Sequence, residues 1–177
     1  MTLLVAAIAA TVAAIVELTI TPYLRVGDAQ PHLVFVLAVV WTVAVGLDSG
    51  LVWAFVGGLV LDTLAPRPLG TTAFALLLVV AATGAITRSL ARIRPVVAII
   101  ATLLLSLVYS MTLITLFSVL RPPSTLADPL RIVAPGVLYD VIVAIVLGPL
   151  AVSLRDRFVD EERAPPVRLA QRERQVG

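Results

Sequence analysis

The sequence predicts an all-α, polytopic transmembrane bundle of six helices in a single domain, and three observations carry that prediction. Sixty per cent of the 177 residues are hydrophobic and 14% are charged, with a mean hydropathy of +1.07; soluble domains do not approach these values. The apolar residues fall into long runs separated by short segments rich in proline, glycine and arginine, the pattern of spans and connectors. The length suits one domain and no more.

The elements follow in order. Residues 3–20 form an apolar run of 18 residues whose single charge is Glu17. Without a basic start or a small-residue cleavage site, it reads as helix 1 and not as a signal peptide. A connector with Pro22, Arg25, Gly27 and Asp28 leads to helices 2 and 3, expected over residues 33–47 and 51–65. Asp48-Ser49-Gly50 is the expected turn between them, its side-chain oxygens capping helix 3. At 1.5 Å per residue, runs of this length span about 22 Å, short of the ~30 Å hydrocarbon core, so flanking residues extend them or the bilayer thins. Helix 3 carries Gly50, Ala54, Gly57 and Gly58 at three- and four-residue spacing. These small residues share one stripe, a packing seam where a second backbone, from this chain or from a partner, approaches closely. Pro66-Arg67-Pro68 then stops the helix.

Helix 4 is expected over residues 71–88, and Arg88, Arg92 and Arg94 make a basic loop before helix 5 at residues 96–120. A polar connector through Arg131 precedes helix 6 at residues 132–154. The transmembrane domain is thus 1–154. The remaining segment, 155–177, mixes six arginines with five acids around Pro165-Pro166 and reads as a solvated, mobile cytoplasmic tail.

Arginine placement orients the bundle. With six spans and the N-terminus inside, nine arginines fall in cytoplasmic segments and four outside, so both termini are expected in the cytoplasm, with Arg88, Arg92 and Arg94 the strongest markers because their loop is short. This topology gathers Glu17, Asp62 and Asp140 in the outer leaflet, with His32 and Arg67 beside them. A carboxylate at a helix centre costs roughly 2.5–3.5 kcal/mol on insertion scales, so each needs a partner, water or a proton. One expectation is an outward-facing polar notch or partner contact formed by Glu17, Asp62, Arg67 and Asp140 among helices 1, 3 and 6. Beside it stand plainer readings. Glu17 is solvated at the interface. Asp62 anchors the connection of helices 3 and 4 through the amides near Thr71 and Thr72, or through Arg67. Asp140 bonds backbone loosened by Pro135. Trp53, Tyr23, Tyr109 and Tyr139 are candidate interfacial anchors, while Trp41 lies deep enough to pack.

Catalytic chemistry finds little support. His32 is the only histidine, and the helix after it holds Ser49 about 25 Å away, out of reach of a general base. Metal-ligand spacings, nucleophile elbows and phosphate-gripping glycine loops are lacking. Cysteine is absent, which removes disulfides and thiolate sites. Neither cofactor nor nucleic acid is expected as a ligand; membrane lipid is.

Pro31-x-Leu33, a short apolar helix, Gly50, Gly57, Gly58, Leu61-Asp62 and then Pro68-Leu69-Gly70 opening a new helix together resemble the core signature of MreD, the rod-shape-determining membrane family. Pro31, Leu33, Gly57, Asp62, Pro68 and Gly70 carry the likeness, and Leu138-Tyr139-Asp140 with Pro149 and Arg155 is a weaker echo. The chain departs from the family's pattern at His32 and beside Asp140, so no family role is transferred there. The resemblance implies a fold similar to the S-components of energy-coupling-factor transporters. It also implies a non-enzymatic role in cell elongation: binding MreC, in a complex with MreB, RodA and a penicillin-binding transpeptidase, to direct sidewall peptidoglycan synthesis. The alternative it carries is a substrate-binding subunit of a small-molecule transporter.

Overall fold

The computed structural model describes residues 2–24, 31–65, 68–89, 94–120, 133 and 135–147. Among them every regular element is helical: α1 (Thr2–Ile20), extended by a 3-10 turn (Thr21–Leu24), α2 (Leu33–Ala44), α3 (Leu47–Leu64), α4 (Thr71–Ser89), α5 (Arg94–Leu120) and α6 (Pro135–Leu147). Segments within α1 and its extension, α3, α4 and α5 are long and apolar enough to cross a membrane; α2 and α6 are shorter apolar helices. Arg67, Arg92, Pro149 and the 155–177 tail lie outside the described residues, as does the side chain of Arg94.

At its core stands α2. Its twelve residues are apolar but for Thr42, and nine of them are buried, from Val34 through Ala44, as expected of a helix hydrophobic on all sides. The other helices wrap it, and α1 does so with its small residues inward. In α1 the buried stripe is Ala6, Ala10, Ala13 and Ala14, whereas Leu4, Ile8, Val12 and Ile15 face outward. That inversion suits lipid, where large aliphatic groups are already solvated and close backbone approach supplies the packing.

Helix direction follows from close contacts. A Cβ added at Gly50 would strike Thr42, and one at Gly57 would meet Val34 of α2 and Ala10 of α1, so α2 and α3 run antiparallel. A Cβ at Gly58 would strike the backbone of Ala73, and one at Gly84 would meet Leu47, so α3 and α4 are antiparallel as well. Because Val34 lies level with Gly57, α2 begins about one and a half turns below the end of α3, inside the bundle.

The α2–α3 turn differs from the expected one. It falls at Val45-Gly46, with Gly46 as N-cap of α3 at φ 134°, ψ 171°, a conformation open in practice only to glycine. Asp48-Ser49-Gly50 is therefore the first turn of α3 and not the loop. Asp48 there complements the positive end of the helix dipole. Ser49 accepts a hydrogen bond from the Trp41 indole and donates to the Gly46 carbonyl, both at 3.2 Å. Trp41 stacks on Trp53 with ring centroids 5.2 Å apart. Trp53 is buried and donates its indole N–H to the Val34 carbonyl at 3.2 Å. Tyr109 is buried too, so neither it nor Trp53 is an interfacial anchor.

Candidate functional site

Three carboxylates gather at the end of the bundle where α2 and α4 begin, and each engages backbone at the start of a helix other than its own. A helix start presents N–H groups without intrahelical acceptors, and in a bilayer water is not there to take them, at a cost of several kcal/mol for each one left bare. The carboxylates meet that demand while the positive end of the helix dipole favours their charge.

Glu17, on α1, is 5% exposed, and its Oε2 accepts the Val34 N–H at 2.7 Å. It is thus drawn inward to the start of α2 and is not a solvated interfacial acid. Asp140, on α6, is fully buried and serves the same helix start. Its Oδ1 accepts the His32 N–H at 2.9 Å, one residue before α2 opens. Its Oδ2 lies 3.3 Å from His32 Nδ1 and accepts the Ser106 hydroxyl at 2.5 Å. Asp140 therefore bonds backbone and side chains remote in sequence rather than the backbone near Pro135.

Asp62, on α3 and 2% exposed, turns to α4 instead. The Thr72 N–H lies 3.1 Å from both of its oxygens. The Ala73 N–H and the Thr71 hydroxyl reach it at 3.4 Å. Gly58 stands one turn earlier on the same face, and the absence of a side chain there is what brings the Ala73 backbone near enough for these bonds. Pro68 and Gly70 shape the approach: the Pro68 carbonyl accepts the Thr71 hydroxyl at 2.8 Å, and Gly70, at φ 87°, accepts the Phe74 N–H at 2.9 Å.

The acids therefore do not line an open notch among helices 1, 3 and 6. They are buried and divided between two helix starts, Glu17 and Asp140 at α2 and Asp62 at α4. Pro31 is buried just before α2, and Leu33 opens it. Ala54 is buried on the seam between Gly50 and Gly57. Arg88 closes α4, in the last turn, where a cation suits the negative end of the dipole.

Sequence reasoning missed Ser106 and Thr102 and read Tyr109 only as an interfacial anchor; all three are buried. Tyr109 packs edge-on against His32, centroids 5.4 Å apart, and stacks on Phe35 at 5.0 Å. A signal was present: positions 102, 106 and 109 recur at helical spacing and draw a polar stripe along one face of α5.

The arrangement ties helices together through hydrogen bonds. Ser106 donates to Asp140 and not to the imidazole, so the pairing of nucleophile and base needed for acyl transfer is not made. Among the described residues no three acidic or histidine side chains are placed to hold a metal ion. An apolar groove of about 510 Å³ between α4 and α5 is lined by Phe74, Leu107 and Met111 among others. Its two threonine hydroxyls, on Thr112 and Thr115, are taken by their own helix backbone at 2.7 and 2.8 Å.

The pattern of a buried half-length helix, a glycine seam and a carboxylate tying α3 to α4 coincides with the region where the MreD-like signature lies. Compared with known families, residues 1–157 match the model of the rod shape-determining protein MreD. The chain belongs to the MreD family. That match takes in all six helices, and it identifies a multi-pass membrane protein of the rod-shape-determining class. Searches of curated proteins and of solved structures returned no match. MreD proteins are shape-determining membrane components and not a known enzyme family, in keeping with acids that cap helices.

Proposed function

We propose that this MreD-family protein is a non-enzymatic scaffold of the cell-elongation complex, which binds MreC directly and acts with MreB, RodA and a penicillin-binding transpeptidase to direct sidewall peptidoglycan synthesis. The observation that carries the reading is the family match across the entire helical bundle, residues 1–157. The chemistry of the site supports it, because the three buried carboxylates are engaged with helix starts and neighbouring side chains. A protein so built offers partners a shaped surface. The arginine count further supports a topology with both termini in the cytoplasm.

The test is depletion of the protein from its own host, together with affinity purification of the full chain from membranes. Loss of rod shape on depletion and copurification of a bitopic MreC-like partner are the expected results. Unchanged shape would overturn the reading. So would a stoichiometric small molecule retained without any protein partner, which is the behaviour of a transporter's substrate-binding subunit. Reporter fusions at each terminus should both read cytoplasmic.

A further inference from the structure

We propose that His32 and Asp140 form a proton-responsive latch that fastens α6 to the α2 and α5 side of the bundle. The helix being fastened meets the core through a narrow face, with Ala144 in the buried core and Val143 packed against it. Its inward stripe is Gly136, Asp140 and Ala144, and its large side chains Leu138, Ile142, Ile145 and Val146 face outward. Small inward residues bury little apolar area, so the polar tie adds to a packing contact of modest size. Asp140 is also the only ionisable residue besides Tyr139 within Pro135–Leu147. The polar part of the fastening passes through one carboxylate, gripped by the His32 N–H, the His32 ring and the Ser106 hydroxyl.

The ring is the variable member of that grip. His32 keeps 18% of its side-chain surface accessible, whereas the Asp140 side chain keeps none, so protons reach the pair through the imidazole. A neutral imidazole offers Asp140 an ordinary hydrogen bond in one tautomer; a protonated one offers an ion pair in any orientation, a stronger bond of the same geometry. Charged and polar groups from several elements stand near His32. The Asp140 carboxyl stands against its ring from α6, and Glu17 of α1 lies two residues along, at Val34. Tyr109 of α5 presents its ring edge-on. The α2 start adds a partial positive charge. The other basic side chain described, Arg88, sits at the far end of α4. The consequence has a definite sign. The added grip is present in acid and is lost as the pH rises through the imidazole's titration.

Because His32 is the only histidine, selective ¹⁵N-histidine labelling of the full chain in lipid nanodiscs gives one imidazole to follow. The expected result is a single ring that changes protonation between pH 5 and 8, and a thermal midpoint about 2–4 °C higher at pH 5.5 than at pH 8 once the same difference in H32Q is subtracted. In D140N the imidazole signal should titrate at lower pH than in the wild type, since the attracting charge is gone. A ring that holds one protonation state across this range overturns the latch. So does an H32Q variant with the wild-type pH dependence, or a D140N titration that coincides with the wild type. Should H32Q fail to fold, the wild-type and D140N ring titrations decide the matter alone.

Discussion

Replacing Gly58 with alanine tests the central packing argument most directly. A Cβ at that position would stand 2.3 Å from Ala73 Cα and 2.6 Å from its nitrogen, both backbone atoms, where ordinary contact begins at 3.4 Å. Rotating a flexible side chain cannot relieve such a clash, so α3 and α4 must part by about 1 Å. Asp62 sits one turn farther along the same face, and its bonds to the Thr72 N–H are 3.1 Å long. A separation of that size carries them to about 4 Å, beyond hydrogen-bonding reach. Two amides at a buried helix start are then left bare at about 1–3 kcal/mol each. With the lost packing, G58A should destabilise the bundle by about 3–5 kcal/mol, a size confined to a few structural causes. The assay is reversible SDS or thermal unfolding of the full chain in bicelles, carried out as a cycle with D62A. If Gly58 acts by admitting the Ala73 backbone to Asp62, the double variant should cost little more than G58A alone, a coupling of about 1–3 kcal/mol. G58A within about 0.5 kcal/mol of the wild type, or additive losses in the cycle, would refute the reasoning.

Other substitutions address the remaining contacts. E17A should cost about 1–3 kcal/mol by stripping the acceptor from the buried Val34 N–H, and E17Q, which keeps an oxygen there, less than half as much; the same unfolding assay ranks them. Leucine at Gly57 would drive into Val34 and Ala10 at once, so G57L should fail to assemble a folded bundle, seen as loss of the monodisperse peak on size exclusion. Alanine at Gly46 must adopt φ near 134°, and G46A should lose about 1–3 kcal/mol without any lost contact, measured as a shift in unfolding midpoint. Ile8→Ala, at an outward position of α1, should stay within about 0.5 kcal/mol of the wild type in lipid, since lipid solvates either side chain.

Much of this protein follows from local pattern alone. Uninterrupted apolar runs commit the chain to helices in a membrane, because a backbone in hydrocarbon must satisfy its own hydrogen bonds. The spacing of Gly50, Ala54, Gly57 and Gly58 marks a seam by period alone, and the tie between Asp62 and the start of α4 was legible because only ten residues separate Asp62 from Thr72 and the connector is too short to carry them apart. What tertiary structure alone decided is the purpose of the other two acids. Glu17 meets Val34 across 17 positions and Asp140 meets His32 across 108. Both pairings depend on α2 being twelve residues long and starting inside the bundle, a consequence of the turn falling at Gly46. Apolar runs 33–47 and 51–65 do not disclose that position, because Leu47 to Gly50 suits a loop or a first helical turn equally well by composition. Once the glycine takes its positive φ there, the shortened helix exposes its first amides to a dry interior, and distant carboxylates become the means of satisfying them.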